Sequence, residues 1–288
     1  MTLQDAYKQL QFQLFEIYDD REATIIADWT MEHITGFSKI DRLMHKQFVL
    51  SPEQESLYLL QTKALLAHTP VQYVLGKAWF AGMPFMVNEN VLIPRPETEE
   101  LVDWIVQSNT TPVKKAILDI GTGSGCIPIT LKKKMSFALV EAMDISANAI
   151  AIAQQNATAL GADVHFYTLD IFDKQATSEL GIYDIIVSNP PYIKQSEATD
   201  MLANVLQYEP AIALFVPDED ALVFYKAIAV FAKSHLGQNG QLFFEINEAL
   251  GAAVCTLLEE HGFTAVELRK DLQGKDRMVK AVLANVIQ

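Results

Sequence analysis

Over the first 70 or so residues, apolar positions recur at steps of three and four. Leu3, Tyr7, Leu10, Leu14 and Ile17 fall on one stripe of a helix. The run "EATIIADWTMEHITG" repeats that period and ends on Gly36, a residue suited to a helix stop. Ser38 is placed to cap "KIDRLMHKQF". In "SPEQESLYLLQTKALLAH", Ser51 and Gln54 form a capping box and Pro52 takes the first helical position. Pro70 closes the run. The pattern predicts a small helical bundle over residues 1–72.

The texture then changes. "AWFAGMPFMVNENVLIP" mixes aromatic and β-branched residues around Gly82-Met83-Pro84, which predicts a β-hairpin linking segment over residues 73–96. From residue 97 onward, helical and strand patterns alternate. Helix "ETEELVDWIVQS" precedes strand "KKAILDI", and a glycine loop and helix lead to strand "FALVEAMDI". Helix "ANAIAIAQQNATAL" leads to strand "DVHFYTL", followed later by strand "YDIIVS", helix "DALVFYKAIAVFAKSHL" and strand "QLFFEI". The last helix, "EALGAAVCTLLEEHG", is followed by "FTAVELRKDL" and "DRMVKAVLA", two strands expected to pair as an antiparallel hairpin at the sheet end. The expectation for residues 97–288 is an α/β domain around a doubly wound, mostly parallel seven-stranded sheet.

Composition narrows the function. The formal charge is −14 and half the residues are hydrophobic. So acidic a chain lacks the basic footprint of a nucleic-acid binder, and no direct nucleic-acid partner is expected. The N-terminus lacks a signal-peptide layout and no apolar run reaches the length of a membrane span, so a cytoplasmic protein with no membrane partner is expected, as a monomer. Cys126 and Cys255 are too far apart for a C-x-x-C pair, and the six histidines show no ligand spacing, so no metal is expected.

Two segments carry candidate chemistry. "ILDIGTGSGC" runs from a strand through Gly121-Thr122-Gly123-Ser124-Gly125 into a helix, where glycines let backbone approach a ligand closely. The G-x-G-x-x-G dinucleotide fingerprint would need glycine at Cys126, and no G-K-[ST] follows for a phosphate loop. Asp144 ends the second strand, where a carboxylate can hold ribose hydroxyls. Asp170 is expected to end the third, where it can receive the adenine amine. Carboxylates without a basic phosphate clamp suit S-adenosylmethionine as cofactor; the plainer alternative is a tight turn with helix-capping acids. Cys126 reads as small core filler. Pro128 falls inside the following helix and is expected to loosen its first turns.

The second segment is "VSNPPYI", after the fourth strand. An amide nitrogen is a poor nucleophile because its lone pair is delocalised, so methylating it requires holding its N–H groups. The Asn189 side-chain oxygen and the Pro190 carbonyl are two acceptors for that purpose. Pro190 and Pro191 add rigidity without competing donors, and Tyr192 offers a stacking face. Alone, N-P-P-Y also fits a proline turn at a sheet end.

Together, "PVQYVLGKAWFAGMPFMVNENVLIPRPETEELV", "ILDIGTGSGC", "VSNPPYI", "YEPAIAL" and "DLQGKDR" resemble the release-factor glutamine methyltransferases, from about residue 70 to the end. The resemblance implies the class I methyltransferase fold and methyl transfer from S-adenosylmethionine to the glutamine of a Gly-Gly-Gln motif. The implied partners are class-1 peptide chain release factors; from the architecture, the N-terminal bundle is expected to grip them. It implies that Gly121, Gly123 and Gly125 form the cofactor loop and that Asp144 holds the ribose. Asn189, Pro190, Pro191 and Tyr192 would hold the glutamine, and Ile171 would fall where the adenine is covered. Arg95 and Glu97 match the family's "PRPETEE" signature; by position they equally begin a helix. Asn247 and Leu250 depart from the family pattern. The alternatives are a glutamine methyltransferase acting on a ribosomal protein, a DNA adenine methyltransferase, disfavoured by charge, and a non-catalytic S-adenosylmethionine-binding module, disfavoured by the intact N-P-P-Y.

Overall fold

The computed structural model describes residues 1–111, 113–200 and 203–284. Pro112, Met201, Leu202 and the last four residues of the expected 97–288 domain lie outside them. The chain divides into two units: residues 1–77 together with the helix Ala203–Tyr208, and the rest from Ala78 onward.

The first unit contains α1 (Leu3–Leu14), α2 (Asp20–Thr35), α3 (Lys39–Met44), α4 (Pro52–Leu66) and α5 (Val71–Leu75). Leu3, Leu10 and Leu14 of the expected stripe are buried with Ile26, Met31, Tyr58 and Leu65. Ile17 lies beyond the end of α1, in the turn before α2. Both expected caps form: Ser38 and Ser51 close capping boxes with Asp41 and Gln54, and Gly36 ends α2 in the left-handed region. Pro70 does not end the helical run as expected. It stands at the N-cap of α5, where its missing N–H costs nothing.

The hairpin expected around Gly82 is β1 (Lys77–Phe80) and β2 (Met83–Met86). Phe80 and Phe85 are fully buried in the second unit, so this segment is part of that unit's core as well as a connection. There follow α6 (Pro96–Ser108), β3 (Ala116–Ile120), α7 (Cys126–Lys134), β4 (Leu139–Asp144), α8 (Ala147–Leu160) and β5 (Val164–Thr168). Next come α9 (Lys174–Thr177), β6 (Tyr183–Ser188), β7 (Ile193–Lys194), α10 (Ala203–Tyr208) and β8 (Phe215–Val216). The chain closes with α11 (Val223–His235), β9 (Leu236–Glu245), α12 (Gly251–Glu260), β10 (Phe263–Lys270) and β11 (Asp276–Leu283). Helix α10 groups with the first unit, where the Tyr208 hydroxyl donates to the Ala67 carbonyl at 2.5 Å. The alternating pattern that put residues 97–288 in one domain has no signal for such an excursion.

The seven strands lie in the order β10-β11-β9-β6-β3-β4-β5. Pairs from β9 to β5 are parallel, and β11 is antiparallel to both β9 and β10. This is the doubly wound sheet with an antiparallel terminal hairpin expected from the alternating pattern. Residues on alternate faces fill two core layers: Ile117, Ile185, Val187 and Phe243 on one, Leu118, Ile186, Leu242 and Phe244 on the other. Among the described residues no helix is long and apolar enough to cross a membrane.

The chain runs outward from β3 to β5 and returns to β6 on the other side of β3, so a crevice opens between the carboxyl ends of β3 and β6. Register decides what meets there. Ser188 pairs with Ile120 on one side and with Phe244 on the other. The next residues along, Asn189, Gly121 and Glu245, therefore emerge side by side at one edge.

Pro128 also finds its explanation in the fold. It is the third residue of α7, where an N–H has no partner inside the helix, so the first turn needs no loosening. The Ser124 carbonyl, one turn back, instead accepts the Asn156 amide at 2.9 Å.

Candidate active site

The glycine loop follows β3 because the chain must turn sharply there. Gly121, Gly123 and Gly125 all have positive φ, a conformation other residues enter at a cost. At Gly125 a Cβ would also come within 3.0 Å of the Ala153 and Ile129 side chains. The Gly121 and Thr122 amides donate to the Met143 carbonyl, and the Gly123 amide donates to Asp144 Oδ2 at 2.9 Å. The Ser146 amide donates to the other Asp144 oxygen at 2.9 Å. The Ile145 amide also lies close enough to favour the charged form. Burial raises the Asp144 carboxyl above the usual range despite these amides.

Gly121, Gly123 and Asp144 line a cleft together with Asp170, Ile171, Phe172, Asn189, Pro190 and Pro191. Its wall is completed by Leu92, Pro210, Ile212 and Phe224. Thr122, Ser124 and Gly125 do not line it, and the Thr122 and Ser124 hydroxyls are buried without a hydrogen-bond partner, so the loop faces the cleft through Gly121 and Gly123. Asp170 does not end the third strand as expected. β5 stops at Thr168, the Leu169 amide still pairs with the Asp144 carbonyl, and Asp170 then accepts the Phe172 amide in a turn. Ile171 is buried in the core at the cleft wall. The more exposed ring is Phe172, with its centroid 5.2 Å from that of Phe224.

No lysine, arginine or histidine lines the cleft among the described residues. The site offers carboxylates, backbone amides and apolar faces, which fit a cationic sulfonium nucleoside and do not fit a pyrophosphate. Asp119, at the end of β3, is fully buried with neither carboxylate oxygen in a hydrogen bond. Burial pushes it up to about 7. The Thr122 hydroxyl lies near enough to favour the charged form without closing a hydrogen bond, and the Asp144 charge pushes further up. Cys126 beside it is pushed up to about 12 by burial, so its thiol stays protonated, as core filler should.

On the other side of the crevice, Asn189 Nδ2 donates to Thr98 Oγ1 at 3.2 Å, and Thr98 donates to Glu245 Oε2 at 2.6 Å. Thr98 is buried in the first turn of α6, and Glu245 is buried at the end of β9. Burial raises Glu245 to about 7, against the pull of Thr98 and Arg277. Tyr192 does not line the cleft; it packs against the core beside Tyr225 and Phe244. Burial first, and the Glu245 charge second, raise its phenol.

Arg95 caps α6 by position only, and its guanidinium pairs with Glu209 at 2.6 Å. Glu209 is itself buried and also accepts the Ile93 amide at 3.2 Å, which ties the start of the "EPAIAL" wall to the segment before α6. Glu97 stands in the first turn of α6, among the charges around Tyr192. Asn247 caps the short turn Glu248–Leu250 by accepting the Ala249 amide at 2.9 Å, which gives that departure a local role.

Sequence reading passed over Thr98, Asp119, Phe172, Glu209 and Glu245. A signal existed for the buried acids: Asp119 and Glu245 interrupt apolar strand runs, "AILDI" and "LFFEI", where a charge is costly without a purpose. Thr98 carried none, since a threonine in a first helical turn is unremarkable.

Residues 5–76 match the family model described as the PrmC N-terminal domain, and residues 98–214 match the Methyltransferase small domain. The chain is 42% identical to the release factor glutamine methyltransferase of Flavobacterium psychrophilum, over 97% of this chain and 99% of that one. It is 44% identical to that of Bacteroides thetaiotaomicron (93% and 95%) and 41% to that of Bacillus subtilis (98% of each). Among solved structures, a methyltransferase from Pyrococcus furiosus shares the fold with a TM-score of 0.52 and 14% identity, over 82% of this chain and all of that one.

Proposed function

The chain belongs to the release factor glutamine methyltransferase family, S-adenosylmethionine-dependent enzymes, and we propose that its substrate is the glutamine of the Gly-Gly-Gln motif in class-1 peptide chain release factors. The transfer would then act on translation termination. The observation that carries this reading is the Asn189 amide beside the glycine loop, its nitrogen engaged inward on Thr98 and its oxygen left for the cleft.

When bound, S-adenosylmethionine supplies a methyl carbon made electrophilic by the sulfonium. Asp144 would hold the ribose hydroxyls, the Gly121–Gly123 backbone would pass along the amino-acid tail, and Phe172 with Ile171 would cover the adenine. Asn189 Oδ1 and the Pro190 carbonyl accept the two N–H groups of the glutamine amide, turning its lone pair toward the methyl carbon. Pro190 and Pro191 present no N–H that could compete for those acceptors. Transfer would replace the S–C bond by an N–C bond, and the amide proton would then pass to solvent, so this chain need supply no strong base. Catalysis rests on orientation and on acceptors fixed before the substrate arrives.

The test is transfer of label from S-adenosylmethionine to a class-1 release factor and to its Gly-Gly-Ala variant. Labelling of the first alone is expected. Equal labelling of both would reject the assignment, and labelling of a ribosomal protein instead would move the substrate within the same chemistry.

A further inference from the structure

The Asn189 side chain can point either of two ways, and only one is useful. With the oxygen toward the cleft it accepts an N–H; flipped by 180° it presents a donor, which repels the amide that it should hold. We propose that Thr98 and Glu245 are positioning residues that lock the Asn189 amide with its oxygen toward the substrate.

The polarity of the chain of hydrogen bonds follows from chemistry. An ionised carboxylate only accepts, so the Thr98 hydroxyl must donate to Glu245 Oε2, at 2.6 Å. With its one proton spent there, Thr98 Oγ1 can only accept from Asn189, at 3.2 Å, and that partner must be Nδ2. The two ends come from distant parts of the chain. Thr98 sits in the first turn of α6, and Glu245 is set against Asn189 by the Ser188–Phe244 register.

The acid is surrounded by groups that act on its charge. The Arg277 guanidinium, one residue before Glu245's strand partner Met278, favours ionisation, and so does the Asn189 amide itself, which lies close enough to act on Glu245 directly as well as through Thr98. Glu97 on α6 opposes it. The Tyr192 phenol and the Cys126 thiol near it both stay protonated, and the Tyr225 hydroxyl donates to its backbone carbonyl at 3.2 Å. Burial brings Glu245 to about 7, so protonation falls within the working range. Once protonated, Glu245 can donate to Thr98. The hydroxyl proton is then free to turn to Asn189 and favour the unproductive flip. Turnover should therefore fall as pH drops through about 7, with no accompanying loss of cofactor affinity.

This inference rests on the amide-acceptor reading of Asn189, and the experiment separates the two. In steady-state methylation of a release factor, Thr98→Val, which keeps the shape and removes the hydroxyl, is expected to lower kcat about 10–100-fold. Thr98→Ser is expected to restore most of it, and the Kd for S-adenosylmethionine should stay within about twofold in both, since neither group contacts the cofactor. Glu245→Gln should abolish the acid limb near pH 7 in the kcat profile and serves alone if Thr98→Val does not fold. The Asn189 side-chain amide resonance, assigned by its loss in Asn189→Ala, should move in Thr98→Val even if no release factor is a substrate. Equal losses in Thr98→Ser and Thr98→Val, an unmoved Asn189 resonance, or an acid limb that persists in Glu245→Gln would each overturn the proposal. Failure of the wild-type enzyme to methylate the release factor would instead count against the substrate.

Discussion

The two sides of the cleft are built in opposite ways. The cofactor side is assembled from neighbours in sequence: the loop Gly121–Gly125 turns directly off β3, and one of its amides reaches the acid that ends the next strand, at 2.9 Å. The loop backbone bonds the Met143 carbonyl and the Asp144 carboxylate on the adjacent strand and the Asn156 amide on the helix after it, so these partners all come from the next βα unit. The amide side is assembled from a loop after β6, a helix before β3 and the end of β9, joined by side chains alone. The first can be preserved by keeping a short motif. The second depends on a register and on two buried residues far away in the chain.

Substitutions can separate these designs. The largest effect is expected at Asn189→Ala, which removes an acceptor needed only at the reacting amide. Turnover should fall by roughly 10²–10³, as for loss of one preorganised polar group, while equilibrium binding of S-adenosylmethionine stays nearly unchanged. A parallel loss of cofactor affinity would show that the two sides are one unit. Asp144→Asn should do the reverse. Losing charge-assisted hydrogen bonds to the ribose weakens cofactor binding by roughly 10–100-fold, read by calorimetry, with the larger change in KM and the smaller in kcat.

A third substitution reads out in stability and leaves catalysis aside. Asp119 has a folded value of about 7 against an ordinary 3.8, so between those pH values the native state binds more protons than the unfolded one. Its contribution therefore turns against folding as pH rises from about 4 to about 7, and the full cost persists above. Asp119→Asn is expected to stabilise the ligand-free protein by roughly 2–4 kcal/mol at pH 8 and by little near pH 4. Denaturant unfolding at the two pH values checks this; an equal gain at both would mean that packing, and not charge, sets the difference.

Most of the fold was legible because it is local. Short apolar strand runs alternating with helical patterns marked the seven strands and the main helices between them, and Ser38, Ser51 and Gly36 announced helix ends through chemistry confined to one turn. The errors were also local in origin. Pro70 and Pro128 looked like breakers, yet both stand where a helix has no use for an N–H, a fact that depends on where the helix begins. Asp170 was placed on a strand that ends two residues earlier, because a pairing ladder stops where its partner leaves it.

From the sequence alone came the alternating αβ order, the glycine turn, Asp144 and the donor-poor Asn189-Pro190-Pro191 loop, since each is written in adjacent residues. Only the tertiary structure decided that Asn189 stands beside both Gly121 and Glu245, that Thr98 links it to that acid, and that Glu209 reaches back to Arg95. Those meetings are set by strand register and helix packing, which bring together residues that no spacing along the chain relates.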